Sequence, residues 1–151
     1  MRDVVFEWYV PRVPDRKQQL IKAVILSAVI VFFVDAYFFA AIMLIPDLIL
    51  AAVGFFLFRS WKIEYEYEYV SGDLTISKII HKSKRKELFR GSRAEITGIE
   101  RGRAARTGCA ARDFTSNRAN APALTVFAGG EMLYVEPNDQ FEEEMKRYYR
   151  F

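Results

Sequence analysis

The chain has 151 residues, a formal net charge of +3, one cysteine and one histidine. That length predicts one domain of ordinary size, and the lone Cys109 excludes an intrachain disulfide and fits a reducing compartment. A single imidazole leaves little for metal or nucleophilic chemistry, which need three or four ligands or a base beside the nucleophile.

The mean hydropathy of zero averages two unlike halves. From the start, Met1–Val10 mixes charges with Phe6, Trp8 and Tyr9, and Pro11 and Pro14 stop any long helix from running on. An aromatic lead before an apolar stretch suits the headgroup region, so residues 1–17 are expected to form an interfacial segment with Trp8 as an anchor. Ala23–Phe58 follows, and its only charged side chains are Asp35 and Asp47. One helix of that length would measure about 54 Å, against a hydrocarbon core of about 30 Å. It is too long for one crossing and suits two.

The expectation is a transmembrane helical hairpin over residues 18–60. The first span covers about 18–37 and the second about 40–58, with Lys22, Arg59 and Trp61 as further anchors at the membrane–water boundary. Pro46–Asp47 offers a competing turn that would leave the second helix too short to cross. Asp35 and Asp47 are read as marking the outer loop, not an ion relay, because two helices enclose no pathway. Arg2, Arg12, Arg16, Lys17 and Lys22 precede the apolar stretch, and Arg59 and Lys62 follow it. Basic flanks on both sides predict an even number of crossings, a multi-pass protein of the cell inner membrane with both termini cytoplasmic. A signal peptide fits poorly, since the apolar region begins late and runs too long.

After Trp61 the period changes to two. Ile63, Tyr65, Tyr67 and Tyr69 alternate with Glu64, Glu66 and Glu68, which predicts a strand with a buried tyrosine face and a wet glutamate face. Ser71–Gly72–Asp73 turns the chain into a second strand, Leu74–Ile80. HKSKRK at 81–86 reads as a basic turn. Short strands are expected at 87–90 and 94–100, and the Arg- and Ala-rich region 101–120 reads as a loop around a weak strand near 113–116. Gly129–Gly130 joins a last hairpin, 123–128 with 131–136. Asn138 caps a closing helix whose Phe141, Met145 and Tyr148 share one face.

Residues 61–151 thus predict a mainly-β domain, a bent antiparallel sheet of about seven strands with a C-terminal amphipathic helix. That order resembles the pleckstrin-homology-like domains carried by some bacterial membrane proteins. A closer resemblance is to an uncharacterised family of small bacterial two-span membrane proteins. It rests on the lead FEWYV with Pro11, the stretch EYEYEYVSGDLTISKI followed by SKRK, and the ending VEPNDQFEEEMKR. The resemblance implies architecture only, with no activity or functional residue to carry over.

The basic cluster is the sharpest functional signal. Lys82, Lys84, Arg85, Lys86, Arg90 and Arg93 are the candidate contact for anionic lipid or a protein partner. Each basic residue near an anionic leaflet contributes about 1 kcal/mol; the plainer reading is a solvated turn that obeys the positive-inside bias. Nucleic acid is not expected as a partner, because Glu64, Glu66, Glu68 and the acidic start of the last helix dilute the field. The sequence therefore predicts a non-enzymatic, membrane-tethered binding or scaffold module without a cofactor. Its expected partners are the lipid bilayer and a protein or a second copy of the chain. The alternative is an accessory subunit of a transport or signalling complex that acts through its hairpin, with Gly54, Ala51 and Ala52 as a small-residue packing patch.

Overall fold

A computed structural model describes residues 5–151. The chain divides into two compact units: Pro14–Lys62, which is helical, and a β unit formed by residues 5–13 together with Ile63–Phe151.

In the helical unit, α1 (Arg16–Phe38) and α2 (Leu44–Ser60) are joined through a short 3₁₀ turn, Ala41–Met43. The Asp15 N–H donates to Gln18 Oε1 at 2.9 Å, one arm of a capping box that starts α1. Arg16–Phe38 and Ala41–Ser60, the second counting the 3₁₀ turn with α2, are long and apolar enough to cross a bilayer. The turn falls where the two-span reading places it. Pro46 and Asp47 lie in the first turn of α2, where a missing proline N–H costs nothing. Asp35 accepts the Phe39 N–H at the end of α1, so the two acids flank the turn. Gly54 is buried inside the hairpin: a Cβ there would stand 2.9 Å from Ile25 Cγ2. It is therefore committed to the α1–α2 contact, whereas Ala51 and Ala52 are exposed.

The β unit corrects the expected single sheet of seven strands. Among the described residues it has eight strands in two four-stranded sheets. Sheet A is antiparallel in the order β1 (Val5–Pro11), β2 (Ile63–Val70), β3 (Asp73–Ile80), β4 (Lys84–Gly91). Sheet B runs β5 (Ile96–Arg101), β7 (Leu124–Ala128), β8 (Glu131–Val135), β6 (Ala111–Asp113), with β6 parallel to β8. All seven expected strands occur. The eighth is the aromatic lead, so residues 5–11 form no separate interfacial segment: Phe6, Trp8 and Val10 alternate on one face and pair across from Tyr69, Tyr67 and Tyr65. The helical hairpin is thereby inserted between two neighbouring strands of one sheet.

Tyr67, Tyr69, Leu74 and Ile76 from sheet A meet Ile99, Val126, Leu133 and Val135 from sheet B in one core. Helix α3 (Asp139–Tyr148) covers one end of it. Its start is capped by Asn138 Oδ1, which accepts the Phe141 N–H at 2.8 Å. Phe141 and Met145 are fully buried, while Tyr148 on the expected face is half exposed and Tyr149 tucks in instead, its hydroxyl donating to Ile96 O at 3.2 Å.

Candidate functional site: the basic strand and turn

The six candidate residues separate into three situations. Arg93 is spent on the fold. Its Nη2 donates to Tyr69 Oη at 3.0 Å and lies 3.9 Å from Glu144 Oε1, and its guanidinium stacks 3.9 Å from the Tyr148 ring centroid. The Tyr69 hydrogen bond holds the Arg93 pKa above its ordinary value. Arg85 and Arg90 lie on the outer face of sheet A in local ion pairs. Arg85 pairs with Glu66, and Arg90 Nη2 is 3.2 Å from Glu87 Oε2. Glu66 belongs to the face expected to be wet, yet it is 3% exposed, because it accepts from both Arg85 and the Tyr9 hydroxyl. The expectation is corrected at that position. Hydrogen bonding to Glu66 raises the Arg85 pKa.

Lys82, Lys84 and Lys86 form the third group and are exposed. Among the described residues none of them is in an ion pair. Strand β4 begins at Lys84, so Lys84 and Lys86 sit on a strand and only His81–Ser83 makes the turn, with His81 and Lys82 in the left-handed region at φ 56° and 57°. The register adds a residue absent from the predicted cluster. Lys78 stands directly opposite Lys86 and beside Tyr65, on the inner face of sheet A. The alternation Leu74, Ile76, Lys78 carries that signal in the sequence. Like charges placed opposite each other across strands repel, and this end of the sheet gathers Lys78, Lys82, Lys84 and Lys86, none in an ion pair among the described residues.

The anchors also separate. Trp8 is packed within the β unit, which corrects its expected role at a membrane surface. Its ring stacks on Tyr67 with centroids 4.9 Å apart, and its Nε1 donates to Glu136 O at 2.9 Å. In the helical unit, Lys22 Nζ lies 5.6 Å from the Phe58 ring centroid and Trp61 lies 5.6 Å from the same ring, while Arg59 is in the last turn of α2. Among the described residues no group of three or more His, Cys, Asp or Glu side chains is placed to hold a metal ion. A cleft of about 310 Å³ beside β4 is lined by Leu88, Phe89, Arg90, Arg112 and Ala128.

Comparison with known families matches residues 2–150 to the family described as Bacterial PH-like domain (DUF6106). The chain belongs to this family. The match spans the lead and the helical hairpin as well as the β strands that follow. No curated protein and no solved structure matches the chain.

Proposed function

We propose that this PH-like chain is a non-enzymatic binding module tethered to the cell inner membrane by α1 and α2, with both termini cytoplasmic, and that its β3–β4 turn engages anionic headgroups. One observation carries the reading. Pro11 pairs with Glu64 and Ile63 with Ile80, so the chain leaves sheet A and returns to it at the end that holds the β3–β4 turn. Adjacent strands are about 4.8 Å apart, which puts the turn within about 15 Å of the chain's exit toward the apolar helices. Lys78, Lys82, Lys84 and Lys86 together would gain about 4 kcal/mol beside an anionic leaflet. The same connection supports an even number of crossings, since both ends of the helical insertion join the same end of two adjacent strands of sheet A.

The test uses the full chain in nanodiscs of phosphatidylcholine alone or of phosphatidylcholine with phosphatidylglycerol. Acylation of individual lysines by a water-soluble reagent is followed by mass spectrometry. Lys82, Lys84 and Lys86 should react several-fold more slowly in the anionic discs, with Lys146 on α3 as the unaffected reference. Equal rates in the two membranes would reject the headgroup contact.

A further inference from the structure

We infer that the open edge of β4 is a docking site for an acidic, extended segment of a partner protein, which adds to sheet A as a fifth strand. The proposal goes beyond the headgroup reading and does not rest on it. Among the described residues strand β4 pairs only with β3, so half of its backbone donors and acceptors point away from the sheet. At the far end this edge is closed, because Arg112 Nη2 donates to Leu88 O at 2.8 Å. Lys84–Glu87 is the stretch left open, and all four of its side chains are exposed.

Charge identifies the occupant. Among the described residues Lys84 and Lys86 project unpaired from the inner face of the strand, whereas Arg85 and Arg90 on the outer face are already paired with Glu66 and Glu87. An added strand sends alternate side chains to the two faces, so an acidic segment would meet free cations in the register that puts its acids on the inner face. A second copy of β4 would instead bring two cationic strands side by side, which argues against self-pairing. Main-chain bonds would supply affinity and the inner basic row selectivity.

The test uses the full chain in phosphatidylcholine nanodiscs, where no anionic lipid competes. The probe is a capped peptide of alternating glutamate and valine, compared with a peptide of equal charge that carries proline at alternate positions. The expected result is saturable binding of the first peptide with slowed amide exchange at residues 84–87. The proline peptide should bind at least about tenfold more weakly, because it lacks ladder donors. The exposed variant Lys84→Glu/Lys86→Glu should weaken the first peptide by about tenfold or more without lowering the thermal unfolding of the β unit, since the new carboxylate at position 86 would face Lys78. Equal binding of both peptides, protection on another strand, or no binding at all would overturn the proposal.

Discussion

Trp8 fills the space between Tyr67 and Phe141, with ring centroids 4.9 and 5.1 Å away. Trp8→Ala should therefore destabilise the β unit by up to about 3 kcal/mol, the lower end of the cost of removing a buried aromatic because Trp8 is only partly buried, read as a shift in chemical unfolding in detergent. A side chain that only touched headgroups would leave that midpoint in place. Arg93→Ala takes the guanidinium donor from Tyr69 and removes one of two cations beside the buried Glu144, which keeps Arg147 at 3.1 Å. A loss of about 1–3 kcal/mol is expected, with Arg93→Lys recovering only part of it because a point charge cannot both stack and bridge. The hydrogen bond from the Tyr9 hydroxyl to Glu7, then that to Glu66, pushes the Tyr9 pKa up from 10.0 to about 12. Since the folded value is the higher one, its contribution is complete below the unfolded value and fades as pH rises through about 12. Burial pushes Tyr67, Tyr69 and Tyr149 the same way. Tyrosinate absorbance should therefore lag that of a denatured control on alkaline titration, and Tyr9→Phe should remove one late-titrating phenol.

Strand β1 is where reading by element succeeds and fails together. Its alternation of Phe6, Trp8 and Val10 is as regular as that of Tyr65, Tyr67 and Tyr69, yet the apolar helices that follow make it look like membrane flank, and its partner lies beyond the hairpin. Periodicity is local information, whereas pairing across an insertion is not. The three-residue β6 falls a little before its expected place for a related reason, because a short parallel strand is specified by β8 and not by its own pattern. The basic turn is legible as charge, but its division into spent arginines and unpaired lysines depends on cross-strand neighbours that only the register supplies. It follows that residues 62–151 alone should not fold like the full chain. They lack β1, and their amide spectrum should lose dispersion that residues 5–13 supplied in trans partly restore. In the helical unit, Gly54→Val forces Cγ atoms toward Ile25, whose Cγ2 would already stand 2.9 Å from a Cβ at position 54. A loss of about 1–3 kcal/mol in helical thermal stability in micelles is expected from such overpacking.

At the scale of the whole molecule, Cys109 is a natural reporter, exposed between β5 and β6. In the proposed orientation, with both ends of the chain inside, a membrane-impermeant maleimide should label it in inverted vesicles and not in intact cells. Ala41→Cys in a Cys109→Ser background should show the reverse pattern. The opposite result for either site would overturn the two-span orientation. The insertion between β1 and β2 also sets an order of events during synthesis. Val10 is made first but must wait for Tyr65, which at about 5–20 residues per second takes roughly 3–10 s. During that delay the first strand has no partner, because both apolar helices are synthesised before any other strand of sheet A. Closure of sheet A is thus gated by passage of the two helices, so a chain that stalled there would leave an unpaired, aromatic N-terminal strand exposed to proteases.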